Sequence, residues 1–356
     1  MSERHTNFLL SVAVLGGIAA VAYADWVVQT ISLAYLYLLP LALSALVHRL
    51  RTSLGLALLC VFLHDSFGPF TDTGWMAIAR NLLTLVGFVT AVLFVNHLQR
   101  QRVRLNEVVR HQRDELQRDL ALAAEVQQRL LPREFPAREG LDLAGVMYPA
   151  RTVAGDYFDF IELPGGDIGL AVADVAGKGV SSALLMPAVE TALRMDAPTR
   201  SDAHEIALTL NQLLCDLTDD FRYVTLFYGK LDVERRRLQY TNAGHVPPLV
   251  MSDNLAEPRW LTKGGPVLGL LAGRQYESET LQLEPGSVLV LYTDGLIEAT
   301  NAGGEEYSQE RLLAFVRANA AKPAAEIIEG LHADIVAFQG SDVFADDFTL
   351  VVLRVR

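Results

Sequence analysis

Four long apolar stretches occupy the first hundred residues, and they constrain the fold of this chain more than any other feature of its sequence. The stretches cover residues 8–23, 27–47, 54–70 and 76–98. A helix needs roughly 20 apolar residues to cross a bilayer, so the second and fourth are comfortably long and the first and third are near the lower limit. The first lacks a small-residue cleavage site followed by a polar domain, which argues against a signal peptide. We therefore predict a module of four transmembrane helices over residues 1–98.

The charged residues around these stretches predict the orientation of the helices. Basic residues occupy alternate connections and acidic residues mark the other side of the membrane. The basic set is Arg4, His48, Arg49, Arg51, Arg100, Arg102 and Arg104, and the acidic set is Asp25, Asp65 and Asp72. Cytoplasmic loops carry the excess of lysine and arginine, so both termini are expected in the cytoplasm of a multi-pass protein of the inner or plasma membrane.

Three polar residues lie within the predicted spans, where polar groups are costly. They are His64 and Asp65 near the outer end of the third span and Asn81 in the fourth. Such groups either bind a ligand or hydrogen-bond between helices. The module is therefore either a sensor or a plain anchor, and the sequence leaves both interpretations open.

A helical linker is predicted over residues 99–138. Positions at alternating four- and three-residue steps are Leu105, Val109, Gln112, Leu116, Asp119, Ala123, Val126 and Leu130. Five of these eight are good apolar choices, which indicates a short, imperfect coiled coil and a parallel homodimer. The alternative is a solvated helical spacer. Pro132 and Pro136 are expected to end the helix.

The charge of the remaining chain excludes some classes of function. The formal net charge is −12, although arginine is dense between residues 100 and 138, so the acidity belongs to the C-terminal part. An acidic domain argues against nucleic acid as substrate or partner. The two cysteines, Cys60 and Cys215, support neither a zinc site nor a disulfide framework.

Residues 139–356 alternate short strand patterns with paired helices. Strands are predicted at residues 141–148, 157–163, 168–173, 223–233, 237–242, 248–251, 276–283, 287–293 and 348–355, and helices at 180–195, 203–217, 309–320 and 323–338. Strands in hairpin-like succession with helices in pairs are typical of an α+β layered sandwich and not of a doubly wound parallel sheet.

Acidic residues stand at the ends of several predicted strands. Asp174 follows the buried pattern of residues 168–173, and Asp294 ends another strand. Further acids at such edges are Asp156, Asp159, Asp346 and Asp347. One acid at a strand end is usually a turn former, whereas several that converge predict a site for hard, oxygen-loving cations. The chain has no Walker A loop, no HExxH and no GxSxG motif.

Seven sequence blocks, in order, resemble the SpoIIE-type (RsbU-like) serine/threonine phosphatases of the metal-dependent PPM family. They are AAEVQQRLLP, YPARTVAGDYFD, ADVAGKGVSSALLM, TNAGHVPPLV, GGPVLGL, LYTDGLIEATN and DDFTLVVLRV. The resemblance covers residues 120–356 and implies a layered β-sandwich flanked by helices. It also implies a phosphorylated regulator as substrate, most often a STAS-type anti-sigma-factor antagonist.

The resemblance also implies a site for two Mn²⁺ or Mg²⁺ ions. By position in the blocks, the ligands are Asp156, Asp174 as the bridging acid, the backbone carbonyl of Val175, Asp294 and Asp346. Two ions held ~3.5–4 Å apart activate a bridging water and stabilise the phosphoryl oxygens. Asp347 is an alternative to Asp346.

The resemblance implies supporting roles for other matched positions. Asp159 supports the ligands or faces solvent, and Asn242 and His245 are expected to form a turn near the site. Ala176 stands where some PPM enzymes carry a histidine, and residues 179–195 resemble the family's switch region. The alternatives to a phosphatase are a membrane receptor whose pseudophosphatase domain acts by binding a partner, and a metal phosphodiesterase that acts on nucleotides.

Overall fold

The computed structural model describes residues 3–28, 30–69, 74–132, 134–177, 179–217, 222–252 and 257–356. Asp72, which entered the predicted topology, lies outside these ranges. The chain forms two compact units, Met1–Leu116 and Gln117–Arg356. The predicted boundaries after residues 98 and 138 stay a prediction.

The first unit is helical. Its helices are α1 (Glu3–Val27), a 3₁₀ turn (Ala34–Tyr37), α2 (Leu38–Val47), α3 (Leu50–Phe67) and the start of α4 (Trp75–Gln128). Among the described residues, three helices are long and apolar enough to cross a membrane, namely those containing Phe8–Val27, Leu50–Phe67 and Trp75–Gln128. This is compatible with membrane anchoring.

In the second apolar stretch the described apolar helix, Ala34–Val47, is shorter than the stretch itself. Its helical part is a 3₁₀ turn of four residues followed by ten residues of α2. That is roughly 23 Å of helix, at about 2.0 Å per residue in the 3₁₀ turn and 1.5 Å per residue in α2, against ~30 Å of hydrocarbon. Pro40 lies in the first turn of α2, where its missing N–H costs no intrahelical hydrogen bond. The arrangement of four spans therefore stays a prediction.

The helices that contain the first and fourth apolar stretches are longer than the stretches themselves. α1 has 25 residues, more than the first apolar stretch indicates, because its helix includes the polar residues before Phe8. α4 is one continuous helix of 54 residues that joins the fourth stretch to the predicted linker. It ends at Gln128, one turn before Pro132.

The three polar residues in the spans have partners within the first unit, and the Asn81 side chain hydrogen-bonds the carboxylate of Asp65. His64 is 2% exposed and lies 2.8 Å from the carboxylate of Asp25, which is fully buried. Asp65 accepts a hydrogen bond of 2.6 Å from Arg80. Hydrogen bonding between helices therefore accounts for these residues.

The second unit contains two antiparallel sheets. One has the order β1-β11-β10-β6-β7 and the other β2-β3-β4-β5-β8, with β9 beside β5 and a short parallel pairing between β5 and β8. The strands are β1 (Leu141–Tyr148), β2 (Tyr157–Glu162), β3 (Ile168–Val175), β4 (Val224–Asp232), β5 (Arg237–Ala243), β6 (Leu249–Met251), β7 (Arg259–Trp260), β8 (Gly264–Gly265), β9 (Glu279–Gln282), β10 (Val288–Tyr292) and β11 (Phe348–Val355).

Paired helices cover the outer face of each sheet. They are α5 (Val180–Asp196) and α6 (Ala203–Leu217) on the β2–β5 sheet, and α8 (Ser308–Asn319) and α9 (Ala324–Gln339) on the other, with a short α7 (Asp294–Ile297) after β10. Alternation in β3 shows how the layers form. Ala171 and Ala173 pack in the cluster that contains α5 and α6, whereas Leu170 and Val172 pack in the cluster between the sheets. The predicted α+β layered sandwich is confirmed.

Several boundaries differ from the predictions. β3 continues through Val175, so Asp174 lies in its last part and not after it. Asp294 begins α7 directly after β10. The strands β7 and β8 were not predicted, because two residues carry no periodic pattern.

Candidate active site

The strand register brings the predicted acidic residues together in two pairs. In one sheet Tyr157 pairs with Ala173, so Asp156 at the start of β2 lies beside Asp174 near the end of β3. In the other sheet Tyr292 pairs with Leu350, so the end of β10 lies beside the start of β11. Asp294 and Asp346 flank these two strand ends.

Asp156 joins the two sheets. Its Oδ2 accepts a hydrogen bond of 2.8 Å from Thr293 and another of 2.5 Å from Thr349. Thr293 precedes Asp294, and Thr349 belongs to β11. The carboxylate from the first sheet is thus fixed against both strands that carry the second pair of acids.

The second pair is also closely packed. A Cβ on Gly295, the residue after Asp294, would clash with the backbone carbonyl of Asp347 and would lie 3.3 Å from the Cβ of Asp346, so a larger residue would not fit there. A cavity of about 200 Å³ opens beside Gly295 and Asp346. Within the described residues, however, no three histidine, cysteine, aspartate or glutamate side chains are grouped closely enough to hold a metal ion as they stand.

The environment of Asp156 opposes its negative charge. Burial raises the pKa of Asp156 well above its ordinary value, and the neighbouring Asp174 carboxylate raises it further. The hydrogen bonds from Thr349 and Thr293 act in the opposite direction. The two hydroxyl groups that bond Asp156 carry no positive charge, and carboxylate oxygens are the ligands that hard divalent cations prefer, so a cation is a partner that this donor set fits.

Both carboxylate oxygens of Asp347 accept hydrogen bonds from the backbone of the loop before Asp156. Its Oδ1 accepts the N–H of Ala150 at 2.8 Å, and its Oδ2 accepts the N–H of Gly155 at 2.7 Å. Because both oxygens of Asp347 bind the backbone of this loop, Asp346, whose Oδ1 accepts the N–H of Asp347 at 2.9 Å, stays the predicted cation ligand. Asp347 instead fixes the loop that carries Asp156.

His245 and Asn242 form a buried turn between the two sheets. The Nε2 of His245 donates to the carbonyl of Tyr292 at 3.0 Å, so its Nδ1 accepts from the Thr225 hydroxyl at 2.8 Å. Asn242 accepts the His245 N–H at 2.7 Å. The turn needs the left-handed backbone of Gly244 (φ 67°). Burial lowers the pKa of His245 to about 4, so its ring is neutral near pH 7 and both nitrogens are occupied.

Asp159 has a different place from the other acids. It is 2% exposed, so the expectation that it faces solvent is wrong. It accepts from the Tyr157 hydroxyl at 2.7 Å and pairs with Arg194 of α5, whose Nε lies 2.9 Å away. Asp159 therefore holds the helix that follows the Asp174 loop.

Three contributors to this region were not identified from the sequence. Thr293 stands one residue before Asp294 and Thr349 three residues after Asp346, each within a quoted block, and this proximity was the available signal. Gln127, at the end of α4, bonds the backbone of Ala154, and nothing in its local pattern distinguishes it from Gln128.

Comparison with known proteins adds two relatives of known sequence. The phosphoserine phosphatase RsbU of Bacillus subtilis is 28% identical over 249 residues, which cover 70% of this chain and 73% of that protein. The protein IcfG of Synechocystis is 25% identical over 262 residues, 66% of this chain but 41% of IcfG.

Solved structures show the same fold. The SiaA PP2C domain of Pseudomonas aeruginosa matches with a TM-score of 0.61 at 24% identity, covering 68% of this chain and 98% of that domain. The RsbU and RsbW domains of Rv1364c from Mycobacterium tuberculosis match with a TM-score of 0.51 at 29% identity, covering 61% of this chain and 60% of that one.

A family model defines the assignment. The model of stage II sporulation protein E (SpoIIE) matches residues 164–356, more than half of the chain. The match contains three of the four predicted acidic ligands and both helix pairs of the second unit. The chain therefore belongs to the SpoIIE family, and its second unit is a serine/threonine phosphatase with the PP2C fold.

Proposed function

We propose that this protein is a membrane-anchored phosphatase that uses two divalent ions to hydrolyse a phosphoserine or phosphothreonine of a signalling regulator. The observation that carries the proposal is Asp156, a carboxylate of one sheet that is bonded to Thr293 and Thr349 of the other. This contact places acidic strand ends of two sheets in one region. A STAS-type anti-sigma-factor antagonist is the substrate class that we propose, supported by the likeness to RsbU.

Asp156, Asp174, the Val175 carbonyl, Asp294 and Asp346 are proposed to hold Mn²⁺ or Mg²⁺. When bound, two such ions lower the pKa of a shared water and offset the charge of the phosphoryl oxygens. Like-charged carboxylates repel, so we expect the two pairs of acids to close into one cluster as the ions bind. The raised pKa of Asp156 supports this, since it shows an acid whose charge lacks compensation.

The surrounding residues orient these acids. Thr293 and Thr349 fix Oδ2 of Asp156, and we propose that the other oxygen, Oδ1, is the one that binds the ion. Asp347 fixes the loop before it. His245 is neutral and doubly bonded, so it is not the group that protonates the leaving serine. Ala176 cannot supply a proton either, and we assign that proton to water.

The linker supports a homodimer. Four apolar seam residues remain largely exposed in a single chain: Leu105, Val109, Leu116 and Val126 are 64%, 55%, 59% and 62% exposed. A second copy of α4 in parallel would cover this seam. We propose that such a dimer, anchored by the N-terminal helices in the inner or plasma membrane, carries signals towards the cytoplasmic phosphatase unit.

The test uses the full-length chain in lipid nanodiscs. Phosphate release is measured with Mn²⁺ from a phosphoserine-bearing STAS protein and from an aryl phosphate, with Asp174→Ala and Asp294→Ala as controls. We expect activity that chelator and both substitutions abolish. A chain that binds Mn²⁺ but hydrolyses neither substrate would instead support the receptor with a pseudophosphatase domain. Cleavage of the phosphodiester bond of a cyclic nucleotide, in preference to hydrolysis of both substrates, would support the phosphodiesterase alternative.

A further inference from the structure

The end of α4 is bonded directly to the loop that carries Asp156. Gln127 lies one residue before the end of α4 and is 7% exposed. Its side-chain amide donates to the carbonyl of Ala154 at 2.7 Å and accepts the N–H of the same residue at 2.9 Å. One side chain thus satisfies both backbone groups of a fully buried residue, in the way that a neighbouring strand would.

This loop is held from two other sides. The N–H of Gly155 donates to Asp347 at 2.7 Å. On its other side Gly155 packs so closely that an added Cβ would lie 3.0 Å from the Val175 carbonyl and 3.2 Å from the Cβ of Ser182. The contacts with Asp347 and Val175 come from the site itself, whereas the contact with Gln127 comes from the linker helix.

The end of α4 cannot move independently of this contact. Leu130 and Leu131, directly after the helix, pack against the two hydrophobic cores on either side of the β2–β5 sheet. In the chain, Gln127 lies between these two leucines and the exposed seam residues of α4, of which Val126 is the last before Gln127. A rotation or shift of the helix end would therefore pull on Ala154 or break its two hydrogen bonds.

We propose that Gln127 is a positioning residue that sets the place of Asp156, and through it the affinity of the site for divalent ions, according to the position of the linker helix. The proposal rests on the metal-dependent function proposed above. It identifies a contact through which a change in α4 reaches the ions. One residue, Gly155, separates Ala154 from Asp156, so a displaced loop moves the carboxylate away from Asp174.

The experiment compares Gln127→Met and Gln127→Ala with the matched control Gln128→Ala in the full-length chain in nanodiscs. Methionine keeps the size and helix propensity of glutamine but loses both hydrogen bonds. Gln128 is the same residue type one position further along the same helix, and it is exposed. Mn²⁺ affinity is measured by calorimetry, and the Mn²⁺ concentration for half-maximal aryl phosphate hydrolysis is measured separately.

We expect both Gln127 variants to bind Mn²⁺ about 10- to 100-fold more weakly, the range for losing a group that orients a metal ligand, with kcat recovered at saturating Mn²⁺. Gln128→Ala should match the wild type. A purely structural role would lower the unfolding temperature in chelator and leave Mn²⁺ affinity unchanged in the folded Gln127→Met protein, and this result would overturn the proposal.

The same experiment separates this proposal from the function on which it rests. If the wild type binds no Mn²⁺, or if Asp174→Ala binds it equally well, the metal site itself is wrong and the role of Gln127 falls with it. If the wild type binds Mn²⁺, Asp174→Ala does not, and Gln127→Met binds normally, the metal site stands and the role of Gln127 alone is wrong.

Discussion

Each of the two units buries a carboxylate, and the neighbours of the two carboxylates differ. Asp25 in the first unit is fully buried and lies 2.8 Å from His64, a side chain that can carry a positive charge. Asp156 in the second unit is 1% exposed and faces two hydroxyls and a second acid. Burial of a charge is costly unless it is paired, so the first acid is compensated by the chain and the second is not.

Burial alone does not identify a cation site. Asp25 and Asp156 are both inaccessible, at 0% and 1% exposure. What differs is the charge of the groups around them, and this depends on residues distant in the chain. We therefore expect that neutralising Asp156 makes the protein more stable and less active. We expect that removing the partner of Asp25 makes the protein less stable and leaves its activity unchanged.

The largest expected effect comes from Asp156→Asn. The amide is neutral and can still accept from Thr293 and Thr349. We expect phosphatase activity to fall by more than about a hundredfold, the upper end for losing a group that merely orients a metal ligand. Because repulsion from Asp174 is removed, the unfolding temperature measured in chelator should rise. Retained Mn²⁺-dependent activity, or a lower unfolding temperature in chelator, would contradict the contrast with Asp25.

The complementary change in the first unit is His64→Ala. It leaves the buried Asp25 without its partner, which should cost about 3 kcal/mol in stability. The measurement is the temperature at which the first unit becomes sensitive to protease in the full-length chain, with aryl phosphate hydrolysis unchanged at low temperature. Asp65→Asn is the control, because its bond to Arg80 involves side chains that are partly exposed and should be worth less than about 1 kcal/mol.

His245 extends the comparison to a buried group that is neutral. Burial lowers its pKa from 6.5 to about 4. The unfolded chain therefore binds a proton near pH 6.5 that the folded chain refuses until about pH 4, so stability is complete above pH 6.5 and is lost as the pH falls. The total loss across this window is about 3 kcal/mol. Urea unfolding at several pH values should show the loss in the wild type and a smaller slope in His245→Gln.

The sequence predicted those parts of the fold that depend on neighbouring residues. β1 and β11 have the predicted bounds, because strand alternation is a local pattern. In the second apolar stretch the described apolar helix covers Ala34–Val47 only, because hydropathy measures how apolar a segment is and does not locate where a helix begins or ends. Local patterns therefore predict which segments are strands, and less well where a helix stops.

In the candidate site too, the sequence predicted what depends on local blocks and missed what depends on distant contacts. Asp156, Asp174 and Asp294 could be proposed because they stand in recognisable blocks. The function of Asp347 could not, because its donors, Ala150 and Gly155, lie almost two hundred residues earlier in the chain. The same holds for Asp159, whose partner Arg194 lies 35 residues later in the chain, on α5. Roles that depend on long-range contacts require the structure.

The smallest effect in this series is expected from Asp347→Asn, and it distinguishes Asp347 from Asp346. Asparagine keeps one acceptor for an N–H of the loop but turns an NH₂ group towards the other amide donor, so one of the two bonds with Ala150 and Gly155 is lost. Asp156 is then less well placed. We expect a loss of about tenfold in Mn²⁺ affinity, the lower end for a supporting group, with kcat recovered when Mn²⁺ is raised.

Asp346→Asn is the matched comparison for this change, because it alters the adjacent acid in the same way. A ligand that is lost cannot be replaced by more metal, so we expect hydrolysis of an aryl phosphate to remain low at every Mn²⁺ concentration. The opposite pattern, in which Asp347→Asn is the variant that excess Mn²⁺ does not rescue, would exchange the roles of the two residues. It would mean that the loop before Asp156 releases Asp347 when the ions bind, and that Asp156 is fixed by its two threonine hydroxyls without help from the loop.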